Sequence, residues 1–195
     1  STALDMEQLS RHGGRTHHAS VAVDRLDPRA FWCPAAKDDS VWDYTINRTL
    51  GAVGPNGVDR YGITETSKFS YGINDWGVTG AGGQLGLGGD VDVVGYIKDS
   101  QVKNPSEMIM LADSKPDGSF DGNVDPTNPA EWPSNRHQRW TVIMFADGHA
   151  EAVFRKLVID PTDRTWRRRW NNDFQEHLEY GTWTVFPAQE ATIDP

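Results

Sequence analysis

Thr141-Val142-Ile143-Met144-Phe145-Ala146-Asp147-Gly148-His149-Ala150-Glu151-Ala152-Val153-Phe154 is the stretch on which the fold turns. One apolar run enters Asp147-Gly148 and another leaves it. That arrangement is the strongest short-range hairpin signal a chain offers, because Asp-Gly tolerates the positive φ angles of a type I′ turn. Working outward, Met108 to Ala112 forms a further apolar run after the turn Asn104-Pro105-Ser106, and Val91, Val93 and Val94 lead to Tyr96-Ile97 in the same manner. Short strands separated by turn residues predict an antiparallel sheet, and with helical pieces at the ends the fold class is α+β.

At the front, Ser1 or Thr2 caps a short helix that Gly13-Gly14 stops, and such a helix is too short to stand without packing on something else. Val21 and Val23 alternate as a brief extended segment that leads to the aromatic anchor Phe31-Trp32-Cys33-Pro34. The glycine run over 80–89 lacks the Gly-Lys-Ser/Thr order of a phosphate loop and the strand and helix of a dinucleotide site, so it reads as a surface loop. Beyond Asp160 the chain is rich in Trp and ends in Trp183-Thr184-Val185-Phe186, which alternates like an edge strand. The organisation expected is a helical remnant and connector over 1–30, a head over 31–160, and a Trp/Arg-rich tail over 161–195 that wraps the head.

Composition narrows the function classes. With 37% hydrophobic and 10% aromatic residues in 195, the chain can build a core and is no disordered tail. Its 19 Gly and 11 Pro argue against a compact helical bundle. A formal charge of −9 disfavours nucleic acid and anionic membrane surfaces as partners. The one concentrated basic run, Arg164 with Arg167, Arg168 and Arg169, is interleaved with Trp166 and Trp170 and reads as a seam of guanidinium planes stacked on indoles. No stretch approaches the roughly 18 apolar residues of a membrane span. A single cysteine, Cys33, has no partner within the chain for a disulfide.

Nine residues separate His137 from Asp147-Gly148, and Ala150-Glu151 follow closely. This spacing resembles the signature of the prepilin-type processing-associated H-x(9)-DG proteins, a group of pilin- and pseudopilin-like proteins. Trp32-Cys33-Pro34, Ser70-Tyr71-Gly72-Ile73-Asn74, the stretch from Asn104-Pro105-Ser106-Glu107 to Ala112-Asp113-Ser114, and Arg169-Trp170-Asn171-Asn172-Asp173 fit in the same order. The resemblance implies a pilin-like head with an antiparallel sheet and long loops, preceded by a long apolar N-terminal helix that is largely absent from this chain. It also implies a non-enzymatic structural subunit of a type IV pilus-like or type II secretion pseudopilus-like filament. Such a subunit sits outside the cytoplasm or in the cell envelope, assembles with copies of itself or other pilin-like subunits, and meets the membrane only through the missing helix. Members often carry a second cysteine just past that helix, so the resemblance implies a disulfide from Cys33 to the missing segment.

The motif residues His137, Asp147 and Gly148 have a structural reading, in which Asp147-Gly148 makes the turn and His137 precedes the first strand of the hairpin. They also have a chemical one. Asp113, at the end of a strand, together with His137, Asp147 and His149, supplies nitrogen and oxygen donors for a divalent metal. A separate acidic loop places Asp121, Asn123 and Asp125 at the alternate spacing that curls around calcium, although Pro126 and Trp132 stand where an EF-hand needs Gly and Glu. His12, His17 and His18 are clustered without a carboxylate or thiolate at ligand spacing and read as an exposed polar segment. No nucleophile elbow or paired carboxylates select a catalytic set, so no enzyme activity is expected. The alternatives are a surface module that binds glycan or envelope polymer through exposed aromatics, and a metal-dependent enzyme.

Overall fold

The structure, a computed structural model, describes residues 31–37, 69–79, 84–88, 97–115 and 122–195. The expected helix over 1–14, the strand around Val91 to Val94 and most of the glycine run lie outside the described residues. Four strands form one antiparallel sheet in the order β1-β2-β3-β4: β1 Tyr71–Ile73, β2 Ile109–Asp113, β3 Trp140–Phe145 and β4 Ala150–Phe154. Among the described residues three short α-helices follow, α1 Arg155–Val158, α2 Arg164–Arg169 and α3 Pro187–Ala191, with a 3-10 turn over Leu178–Tyr180 between the last two. Among the described residues no helix is long and apolar enough to cross a membrane.

β3 forms because its side chains alternate: Thr141, Ile143 and Phe145 point inward while Trp140 and Val142 face out. It pairs with β4 from Trp140↔Phe154 to Met144↔Ala150 and with β2 through a bulge between Ile109 and Leu111. The free edge of β1 is covered by the segment 122–124, whose Gly122 carbonyl accepts from the Ile73 amide at 2.7 Å while the Val124 amide donates to the Ile73 carbonyl at 2.8 Å. Gly72 is required there, since a Cβ at that position would collide with the Asn123 carbonyl.

The hairpin appears where Asp-Gly predicts it, with a different turn. The Gly148 amide donates to the Phe145 carbonyl and the Phe145 amide to the His149 carbonyl, both at 2.9 Å, and within the loop only Gly148 takes a positive φ, +93°. This is a three-residue loop closed by a glycine bulge in place of a two-residue type I′ turn.

Inward residues of the sheet meet Val158 from α1, Trp166 from α2 and Trp170, which caps the C-terminus of α2, in one core. α2 starts at Asp163, whose carboxylate accepts the amides of Thr165 and Trp166. Spacing of four then puts both tryptophans on the face that meets the sheet. The Arg/Trp run is the packing seam expected of it. The Arg169 guanidinium lies 4.3 Å from the Trp166 ring and 5.6 Å from that of Phe145, and the buried Arg167 lies 5.0 Å from Trp183. Residues 183–186 are not a strand. Trp183 and Val185 are half-buried and alternate with exposed neighbours, but the Trp183 indole donates to the Ile159 carbonyl at 2.8 Å and no ladder forms. The alternation there records one-sided packing of an extended chain, which a sheet shares.

Arg167 also donates to the carbonyls of Glu176, His177 and Gly181, and so shapes a loop in which His177 takes a left-handed φ of 48°. Burial pulls the His177 imidazole down, but hydrogen bonds with Glu179 at 2.7 Å and Asp173 at 2.8 Å outweigh it and hold the ring above its ordinary value. A raised imidazole contributes stability that is complete below the unfolded value near 6.5 and is lost as pH rises through the folded one. His177→Asn keeps a residue that accepts the left-handed backbone. The melting-temperature advantage of the native protein over this variant is therefore expected to be largest in mildly acidic buffer and to shrink steadily toward alkaline pH. An advantage that stayed constant across that range would refute the linkage.

Candidate metal centre

Asp113 closes β2. Its backbone carbonyl accepts the Ser134 amide at 2.7 Å, and its carboxylate Oδ2 accepts the Val142 amide of β3 at 2.8 Å, so the side chain takes over the ladder where the main chain leaves it. Asp113 is fully buried, and Oδ1 has no hydrogen-bond partner. Burial pushes the Asp113 carboxyl's ionisation above the usual carboxylate range, opposed by the Val142 amide and by the charges of Arg136 and His137. Arg136 is buried beside it and donates to Ser134 Oγ and to the Ser114 carbonyl.

His137 is brought over the end of the sheet by a tight turn. The Trp140 amide donates to the His137 carbonyl at 3.1 Å, and both central residues, Gln138 and Arg139, have positive φ, 57° and 77°. Positive φ at both central positions is the mark of a type I′ turn, here built without glycine at a cost of about 1–2 kcal/mol per residue. The turn is held by its surroundings: Asn135 accepts the Arg139 amide, and the Arg155 amide donates to the Arg139 carbonyl.

Cys33 arrives from the other end of the chain. Its amide donates to Ser70 Oγ at 2.6 Å, and the Ser70 amide donates to the Phe31 carbonyl at 3.0 Å, which lashes this segment to the start of β1. The buried Cys33 Sγ lies 3.4 Å from His137 Nε2, and the same nitrogen lies 3.4 Å from Asp113 Oδ2. Tyr71, opposite Asp113 in the β1–β2 register, sets its hydroxyl against the sulfur; burial first, then the Cys33 and Asp113 charges, push its ionisation upward.

A cysteine nucleophile activated through a relay needs its histidine to face the thiol with one ring nitrogen and the orienting carboxylate with the other. Here thiol and carboxylate both face Nε2, which does not make that relay. The three donor atoms lie within 4.8 Å of one another, and thiolate, imidazole and carboxylate are the donor types of zinc-class ions.

The structure joins Asp113 and His137 and leaves His149 and Asp147 elsewhere. The His149 ring stacks on Phe145 at 4.4 Å, and its Nδ1 lies 2.6 Å from Asp147 Oδ1, at the opposite end of β3, about 17 Å of strand away. Asp121 lies outside the described residues. Asn123 donates toward Asp75 and Glu131, and the buried Asp125 carboxylate accepts the Thr127 amide at 2.6 Å. Asp125 thereby serves as the acceptor of an Asx-turn. Cys33 as a partner of His137 carries no signal in the sequence: 104 positions separate the two, and one cysteine makes no spacing motif.

Comparison with protein-family models, curated proteins and solved structures finds no match to the chain.

Proposed function

We propose that this chain is the pilin-like head of a structural subunit in a type IV pilus-like or pseudopilus-like filament of the cell envelope. The observation that carries the reading is how the motif segments use one another. Asn74 Nδ2 donates to the Ile109 and Trp170 carbonyls, both at 2.9 Å. Asn171 accepts the Val78 amide, and Asn172 donates to the Gln84 and Gly86 carbonyls. Arg169 pairs with Glu107 at 2.6 Å, while the amides of Ala146 and Asp147 donate to the Met108 and Pro105 carbonyls. These bonds hold the motif segments to one another, which supports reading them as the framework of a head.

The reading predicts that the coding sequence upstream of Ser1 carries a prepilin cleavage site followed by an apolar helix of about 20 residues. Antibody to the head should label filaments sheared from the cell surface. An ordinary secretory leader upstream, with no labelled filaments, would overturn it.

A second reading, a module for glycan or envelope polymer, draws on the outward face of the hairpin. Trp140 and Phe154 are both exposed, paired across β3 and β4 with ring centroids 4.2 Å apart. Aromatic faces of this kind stack on sugar rings. Loss of glycan-array binding on Trp140→Ala would favour it over the filament.

A further inference from the structure

We propose that Cys33, Asp113 and His137 bind one divalent transition ion of the zinc class, and that this ion fastens the segment carrying Cys33 to the end of the sheet. The proposal does not rest on the filament reading.

Distances are the first argument. Ligand atoms bound to zinc at about 2.0–2.3 Å and at tetrahedral angles stand about 3.3–3.5 Å from each other. Sγ to Nε2 and Nε2 to Oδ2 are each 3.4 Å. As hydrogen bonds the two contacts compete: the thiol–imidazole distance is ordinary for sulfur, but a charged His–Asp bond is about 2.7–2.9 Å long, and a nitrogen that accepts from the thiol has no proton for the carboxylate. The three ligand atoms lie within 4.8 Å of one another, so one ion between them can bond the sulfur, the ring nitrogen and one carboxylate oxygen together.

Electrostatics is the second, independent argument. A fully buried carboxylate needs its lone pairs met, yet Asp113 Oδ1 has no hydrogen-bond partner and Oδ2 has one backbone amide plus the distant imidazole. Arg136 supplies a nearby positive charge, but its Nε donates to Ser134 and its Nη2 to Ser114, and its buried Nη1 makes no hydrogen bond to Asp113. Its charge opposes a cation, and the thiolate formed on binding offsets that opposition. In the binding step the Cys33 thiol loses its proton to solvent, the sulfur bonds the ion, and His137 offers the Nε2 lone pair with its own proton on Nδ1. The side chain of His137 is 34% exposed, so solvent reaches the centre and fills the position that three protein ligands leave in a tetrahedron.

The test uses the whole 195-residue chain, purified under reducing conditions, stripped with chelator and reloaded with zinc alone or cobalt alone. Elemental analysis is expected to give about one zinc per chain, and cobalt to give the thiolate charge-transfer and intense visible bands of a tetrahedral site. His137→Ala changes a part-exposed side chain and is expected to fold with the native circular dichroism. It should bind zinc at least about a hundredfold more weakly and lose the zinc-dependent rise in melting temperature. Cys33→Ser should abolish the charge-transfer band. The proposal fails if the folded native chain takes up no stoichiometric zinc, if His137→Ala or Cys33→Ser binds it as tightly, or if Cys33 proves to be oxidised in a disulfide in the protein from its native source.

Discussion

Asn74→Ala is expected to lower the unfolding free energy by about 3 kcal/mol or more, read as a fall in the urea midpoint at unchanged slope. Asn74 is fully buried and makes three bonds that no neighbour can replace: Nδ2 to the carbonyls of Ile109 and Trp170, and Oδ1 from the Gly77 amide at 3.0 Å. It therefore ties β2, the end of α2 and its own turn at a single point. Alanine leaves all three main-chain groups without this partner, and each such buried group costs about 1–3 kcal/mol. Asn74→Asp is the sharper variant. It keeps the shape and can still accept from Gly77, but it sets an acceptor against two carbonyls, so it should destabilise at least as much as alanine. A stable Asn74→Asp protein would show that the two Nδ2 bonds do not hold the fold.

Arg155→Met is expected to cost about 3 kcal/mol, because it removes the buried guanidinium that pairs with Asp194 and leaves the Gln189, Glu190 and Thr192 carbonyls without their donor. Arg155 is fully buried; Nη1 pairs with Asp194 Oδ2 at 2.6 Å, and Nη2 donates to the Glu190 carbonyl at 2.7 Å and more weakly to those of Gln189 and Thr192. Burial lowers the guanidinium's ionisation against the pull of Asp194 and Glu190, so the pair carries a desolvation cost that only its full set of partners offsets. The expected signature is release of the last residues: carboxypeptidase should trim the segment after Pro187 in the variant under conditions that spare the native chain. The effect should reach the metal centre as well. Asp194 and Asn135 bond each other's amides, and Asn135 accepts from Arg139 in the turn that carries His137. Equal trimming of variant and native chain would rule this tie out. Asp194→Asn, which keeps acceptor and shape at a site on the rim of the core, should cost less than half as much.

Much of the sheet was legible from residues 108–154, since alternation and turn chemistry lie in adjacent positions. The Arg/Trp seam was legible too, because the two partners alternate within one helix. Turn geometry was less so. Asp147-Gly148 has the composition of a type I′ turn and adopts a three-residue loop, while the type I′ dihedrals fall on Gln138-Arg139, whose side chains give no hint of it. Surrounding hydrogen bonds impose that conformation against local preference.

Of the candidate centre, Asp113 and His137 could be picked out as metal-type residues at strand ends. His149 shares their donor chemistry, but the antiparallel path of β3 sends it to the far end of the strand, against Phe145. Neighbours a few positions apart suffice to place β2, the β3–β4 hairpin and the packing seam, whereas β1 and the extended 183–186 segment take their roles from what packs beside them. Which sulfur faces which imidazole depends on the folded molecule, because closing 104 residues of chain is governed by the packing of every element between them and leaves no local pattern to read.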